Sequence, residues 1–238
     1  MKKLNNLKVK IFADGADKKG MLEMYNKPII KGLTTNPTLM KVAGITNYVE
    51  FSKDILKIIN NKPVSLEVFS DNINEMKRQA LEIAKWGNNV YVKIPITNTK
   101  KESTLKMVNE LTDNGVKVNV TAIMTLNQVE EVVNVLNLDV PAYVSVFAGR
   151  IADTGIDPLP IMKESVKITS IKPKAEVIWA SPRELLNIFQ ADETGCQVIT
   201  VSNNILKKLD LVGYDLDKYS LDTVKMFYKD AIYAGYKL

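Results

Sequence analysis

The sequence predicts a (β/α)8 barrel, and three observations carry that prediction. Eight short apolar or β-branched stretches recur along the chain. Most intervals between them have helical spacing, and the whole pattern fits within 238 residues. Strands separated by helices run parallel, because parallel neighbours need crossover connections. Eight such units close economically as a barrel, whose usual length is ~250 residues.

In order, the stretches are VKIFAD, IIKGLTTN, PVSLEVF, NVYVKIPI, VKVNVTAIM, AYVSVFAG, AEVIWAS and CQVITVS. After the third, Ile73, Met76, Ala80 and Ile83 fall on one helical face; after the fourth, Thr104, Leu105, Val108 and Leu111 do the same. NNKP, KWGNN and TDNGVK punctuate the units. The competing architecture is an open doubly wound sheet, whose dinucleotide form carries GxGxxG; that motif is missing. GADKKGM resembles the start of a P-loop, but Met21 and Leu22 stand where Lys and Ser/Thr belong. No linker or repeat interrupts the alternation. Residues 1–238 therefore read as a single domain, with 219–238 as a C-terminal helix and tail centred on Leu221–Tyr233.

Composition narrows the chemistry. With 46% hydrophobic residues the chain is not a disordered one. It contains no histidine, which excludes Ser-His-Asp and Cys-His nucleophile systems and every His-bearing metal site. Acid–base work falls to Asp, Glu, Lys, Tyr or water. The single cysteine, Cys196, forms no internal disulfide, which favours a reducing compartment. Lys8 and Lys10 break the apolar start, so it does not read as a signal peptide. No apolar run approaches the ~18 residues of a membrane span, and the expectation is a soluble cytoplasmic protein. The net charge of +5 comes from scattered lysines, as in KKESTLK and SIKPK, so no nucleic-acid partner is expected. Only three of the 32 basic residues are arginine: Arg78, Arg150 and Arg183.

Alternate residues of a barrel strand face the helices and the interior. The aliphatic parity faces the helices, so its complement faces in. In the third strand Val64, Leu66 and Val68 face out, leaving Ser65, Glu67 and Phe69. In the fourth, Val90, Val92, Ile94 and Ile96 leave Tyr91, Lys93 and Pro95. In the fifth, Val116, Val118, Val120 and Ala122 leave Lys117, Asn119 and Thr121. In the sixth, Val144, Val146 and Ala148 leave Tyr143, Ser145 and Phe147. The first two strands add Asp14 and Asn36. Asp14, Asn36, Glu67, Lys93, Asn119, Thr121 and Ser145 thus converge, mostly near strand carboxyl ends, where barrel active sites sit.

One lysine among carboxylates points to a reaction class. An amine is almost wholly protonated at neutral pH until desolvation frees its lone pair. Lys93, enclosed in VYVKIPI, could then form a Schiff base with a carbonyl, and its iminium would draw electrons from the adjacent carbon–carbon bond. Carboxylates supply proton transfer, and hydroxyl and amide groups hold a polyol. The chemistry needs neither metal nor cofactor. Arg150 and Arg183 follow the sixth and seventh strands on loops at the same end, where guanidinium groups suit a phosphate. Singly, Arg150 could instead pair with Asp153, and Arg183 could decorate a helix start.

These motifs resemble the transaldolase family, which includes the fructose-6-phosphate aldolases. GLTTNPTLM is similar to its TTNP signature and VYVKIPI to its lysine strand, with FADGAD, SLEV, NVTAIMT, SVFAGRIAD and WASPREL in the family's order. The resemblance implies a Schiff-base role for Lys93 and an acid/base role for Asp14. It assigns the water of carbinolamine dehydration to Glu67 with Thr121. Asn36, Asn119 and Ser145 would hold the dihydroxyacetone part, and Arg150, Ser181 and Arg183 the phosphate. WASPREL departs from relatives by carrying Pro182 where an aromatic is common.

Fructose-6-phosphate aldolases typically carry Gln at the position of Glu67 and Tyr at that of Phe147, so the resemblance favours the transaldolase branch. The implied partners are phosphorylated sugars of the pentose phosphate pathway. The alternatives are a fructose-6-phosphate aldolase and a non-catalytic sugar-phosphate-binding barrel. Small family members form pentamers or decamers, and a homo-oligomer is expected. Leu221, Val224, Phe227, Tyr228 and Ile232 form an apolar stripe that could cover a neighbour or close the chain's own barrel.

Overall fold

Alternation in the strands determines the architecture. The computed structural model describes residues 4–237. The chain runs β1 (Lys10–Asp14), α1 (Lys18–Tyr25), β2 (Ile30–Thr34), α2 (Pro37–Val42), α3 (Tyr48–Ile58), β3 (Val64–Glu67) and α4 (Ile73–Ala84). Next come β4 (Val90–Pro95), α5 (Leu105–Asp113), β5 (Val118–Ile123), α6 (Leu126–Val135) and β6 (Ala142–Val146). The last part comprises α7 (Ala148–Asp153), α8 (Pro158–Thr169), β7 (Ala175–Trp179), α9 (Leu186–Glu193), β8 (Val198–Ser202), α10 (Asn203–Leu206) and α11 (Leu216–Ala234). The eight strands form a closed parallel barrel in sequence order, with β8 pairing back onto β1.

Helix starts are set locally. Asn47 and Asn72 accept the N3 amides of α3 and α4, and Thr125 and Gln128 form a reciprocal capping box on α6. The apolar faces of the helices, such as Met76, Ala80 and Ile83 on α4, are buried with the outward aliphatics Leu66, Val92, Val120 and Val144. A second, smaller cluster fills the barrel itself: Phe12, Tyr143, Ile178, Ala180 and Val198, with Tyr91 and Phe147 against it. Phe12 meets Tyr143 edge-on, 5.6 Å between centroids. Gly32 makes room for that ring, since a Cβ there would lie 2.5 Å from Phe12. This plug closes the barrel below and leaves its polar residues at the carboxyl ends.

Register then aligns the predicted residues. Glu67 pairs with Lys93, Lys93 with Asn119, and Pro95 with Thr121; Asp14 lies beside Thr34 on one side and Ser202 on the other.

The structure corrects the alternation in two places. Ala122, expected to face the helices, adopts φ +63 and lies at a register shift between β5 and β6. This bulge inserts one residue, so Ile123 takes the buried outward position and Ala122 lines the cleft instead. Phe69, expected inward, is 61% exposed, because β3 ends at Glu67 and the chain turns outward. Val116 precedes β5 rather than belonging to it.

The last helix also differs from its expected bounds. It begins at Leu216, capped by Asp215, and ends at Gly235 in the left-handed conformation. None of its residues is buried, and Leu221, Val224, Phe227, Tyr228 and Ile232 are all exposed. The stripe therefore does not close the chain's own barrel. Among the described residues no helix is long and apolar enough to cross a membrane.

Candidate active site

A cleft of about 470 Å3 opens at the carboxyl ends of the strands. Asp14, Asn36, Glu67, Lys93, Asn119, Thr121, Ser145, Phe147, Arg150 and Ser181 all line it; Arg183 does not. A larger cleft, about 840 Å3, opens elsewhere among Lys8, Lys10, Lys27, Lys31 and Lys207 and contains none of the predicted site residues. Among the described residues no group of three or more Cys, Asp and Glu side chains is placed to hold a metal ion.

Lys93 is buried within β4. Its Nζ lies 3.0 Å from Glu67 Oε2 and donates to the Thr35 carbonyl at 3.1 Å. Glu67 is poorly aligned for a hydrogen bond despite that distance, and its Oε2 and the Thr121 hydroxyl are buried without hydrogen-bond partners in the protein. Two unsatisfied polar atoms beside a lysine are suited to handling a water or a substrate hydroxyl. Tyr48 fixes the end of β3 from outside, donating its hydroxyl to the Glu67 carbonyl at 2.8 Å. Burial raises the Tyr48 phenol, and the Glu67 charge adds to the rise, so it remains a donor.

Asp14 faces Lys93 across the barrel mouth. Its Oδ1 accepts from the Thr34 hydroxyl at 2.8 Å, and Thr34 is bonded in turn to Thr200 on β8. Burial pushes the Asp14 carboxyl up from its ordinary 3.8, while the Lys93 charge and the Thr34 hydrogen bond pull it down. The net rise means that ionised Asp14 costs stability. That cost is absent below the unfolded value and grows as pH rises through the folded one. Asp14→Asn, which keeps the acceptor oxygen, should therefore melt at a higher temperature than the parent at neutral pH and converge with it near pH 3. A parent at least as stable at neutral pH would contradict this.

The amide and hydroxyl residues form one chain. Asn119 is fully buried, donates to Ser65 Oγ at 3.0 Å and accepts from Ser145 Oγ at 2.7 Å. Asn36 caps α2, its oxygen accepting from the Leu39 amide at 2.9 Å, so its NH2 keeps donors for a ligand.

Arg150 sits on α7, its guanidinium 5.8 Å from the Phe147 ring centroid. Asp153, considered a partner for Arg150, instead takes Arg183 in a two-pronged ion pair, with Nε to Oδ1 at 3.0 Å. Arg183 lies in the loop before α9, three residues ahead of its first residue, Leu186. Ser181 has φ +61, a strained conformation for a residue with a side chain. Its carbonyl lies against Gly149, where a Cβ would stand 1.5 Å from that oxygen.

The site includes residues the sequence reading did not select. Thr34 and Thr200 line the cleft, and Ser65 holds Asn119. The signal for Thr200 was present. Ile199 and Val201 face the helices and Val198 the interior, so the same alternation turns Thr200 inward.

Residues 11–232 match the family model described as Transaldolase/Fructose-6-phosphate aldolase. The chain belongs to the transaldolase/fructose-6-phosphate aldolase family. This is an enzyme family of the class I aldolase type. A "Probable transaldolase" of Thermoanaerobacter sp. (strain X514) is 34% identical over 94% of this chain and 98% of its own. Another from Methanococcus vannielii is 35% identical over 90% and 97%. A crystal structure from Burkholderia cenocepacia J2315, described as a "putative lyase/mutase", superposes with a TM-score of 0.60 at 12% identity, covering 98% of this chain and 86% of its own. That likeness is one of fold alone. The family model begins inside β1 and ends inside α11, so the barrel and most of the exposed final helix belong to the family pattern.

Proposed function

We propose that this protein is a transaldolase, moving a dihydroxyacetone unit from a ketose phosphate to an aldose phosphate. The observation that carries this reading is a buried lysine with carboxylates on two other strands, Glu67 at 3.0 Å and Asp14 across the cleft. Donors would be sedoheptulose 7-phosphate or fructose 6-phosphate. Acceptors would be glyceraldehyde 3-phosphate or erythrose 4-phosphate.

The proposal assigns each step to a residue of the cleft. Glu67 takes the proton of the Lys93 ammonium, and the freed amine attacks the ketone carbon to give a carbinolamine. Glu67, with Thr121, protonates the departing hydroxyl, so water leaves and an iminium forms. Asp14 accepts the C4 hydroxyl proton as the C3–C4 bond breaks and its electron pair moves into the iminium. The aldose phosphate departs, leaving an enamine on Lys93. A second aldehyde is attacked by that enamine, and Asp14 returns the proton to the new alkoxide. Addition of water, assisted by Glu67, releases the product. Asn36, Asn119 and Ser145 hold the three-carbon unit, and Arg150 and Ser181 hold the phosphate, joined by Arg183 if Asp153 yields it. The iminium is the electron sink, so no cofactor is required.

Phe147 at the cleft supports transfer over simple aldol cleavage. It offers no phenol to protonate the enamine, which is left for an aldehyde acceptor. With fructose 6-phosphate, erythrose 4-phosphate should raise turnover strongly above the rate of free dihydroxyacetone release. Release rivalling transfer would assign the protein to the aldolase branch. We also read the protein as a cytoplasmic enzyme of pentose phosphate metabolism and a ring oligomer, pentameric or decameric, with the exposed stripe of α11 against a neighbour. A monomeric mass in solution would contradict the assembly.

A further inference from the structure

We propose that Thr200 is a positioning residue that keeps Asp14 in its ionised, proton-accepting form through the Thr34 hydroxyl. The proposal rests on the role given to Asp14 above. Three strands bring the groups together, since Asp14 ends β1, Thr34 ends β2 and Thr200 lies within β8. Thr34 and Thr200 are buried, 2% and 7% exposed. A hydroxyl has one proton to give. Ionised Asp14 only accepts, so Thr34 must spend its proton on Oδ1, and its oxygen is then free to accept from Thr200. Both protons point towards the carboxylate, and such chains strengthen each bond in them.

The direction of the effect follows from the two charge states of Asp14. A neutral carboxyl has two arrangements: its carbonyl oxygen accepts from Thr34 more weakly than a carboxylate does, or its O–H donates to Thr34, which then turns its proton to Thr200. In the second arrangement the Thr200 proton lacks a protein acceptor among the hydrogen bonds of the described residues, where Thr34 is its partner. The chain is therefore strongest when Asp14 is charged. The remaining neighbours of Asp14 do not replace it. β8 offers Ser202 beside it, and the turn into α1 holds Asp17, committed to the Gly20 amide, and Lys18, paired with Asp54. Lys93 is the facing cation, and it is shared with Glu67 on β3. Burial opposes ionisation, and the hydroxyl chain offsets part of that opposition.

The test is the pH dependence of glyceraldehyde 3-phosphate release from fructose 6-phosphate in a single turnover. Thr200→Val and Thr200→Ala remove the donor at little change in volume or with a smaller side chain, and Thr200→Ser restores it. The acidic limb should move up by about half to one pH unit in the first two, a three- to tenfold loss of rate below the limb, and stay in place with serine. An unmoved limb in both Val and Ala variants, with an active parent, overturns this proposal alone. A shift shared equally by the serine variant overturns it too, because the hydroxyl would not be the cause. A parent that releases no aldehyde overturns the functional reading and this proposal with it.

Discussion

Lys93→Met should leave a folded barrel that still binds phosphorylated sugars and does not turn them over. Methionine matches the length of the lysine stem and keeps the aliphatic packing of β4, but it removes the amine. Loss of a covalent nucleophile costs roughly 10^4-fold or more in turnover, because the remaining groups only bind and polarise. The arginine and amide contacts are untouched, so ligand affinity should change far less than activity. Titration calorimetry with fructose 6-phosphate, beside a coupled transfer assay, checks both halves. A variant retaining more than about a tenth of parental turnover would remove Lys93 from the mechanism, since each tenfold is about 1.4 kcal/mol of barrier.

Gly149→Ala should cost more stability than most other single-methyl changes in the molecule. The added Cβ would stand 1.5 Å from the Ser181 carbonyl oxygen, and that oxygen belongs to backbone already held at φ +61. Neither element yields easily, because Gly149 sits in the first turn of α7 and Ser181 lies two residues past the end of β7, after the buried Ala180. Overpacking against backbone costs about 3 kcal/mol at the upper end of the usual range. For a chain of this size that lowers the melting temperature by roughly 6–12 °C. The same shift moves Ser181, which lines the cleft with Arg150, so with the phosphate role proposed for both, KM should rise for a phosphorylated ketose more than for dihydroxyacetone. A variant that melts with the parent and keeps both constants would show that the two loops separate freely.

Most of the barrel was legible because its physics is local and periodic. Strands buried on their outer face by helices show an aliphatic parity, and the opposite parity faces the interior. Glu67, Lys93 and Asn119 could be named from that rule alone, and the register sets them side by side. The rule failed at Ala122, where one bulged residue reverses the faces, and at Phe69, which lies past the end of its strand. Neither a bulge nor a strand end leaves a mark in hydropathy. The Arg183–Asp153 pair was not readable because 30 residues separate its members and only the fold brings the two loops together. The α11 stripe was legible as apolar, but hydropathy does not say which surface will cover it.

Borohydride trapping tests the central claim most directly. The protein is mixed with fructose 6-phosphate without acceptor, reduced, and mapped by peptide mass. A reduced dihydroxyacetone adduct on the peptide carrying Lys93 is the expected result, and it would establish both the nucleophile and the bond that breaks. An adduct on another lysine, or none with either fructose 6-phosphate or sedoheptulose 7-phosphate, would contradict the account.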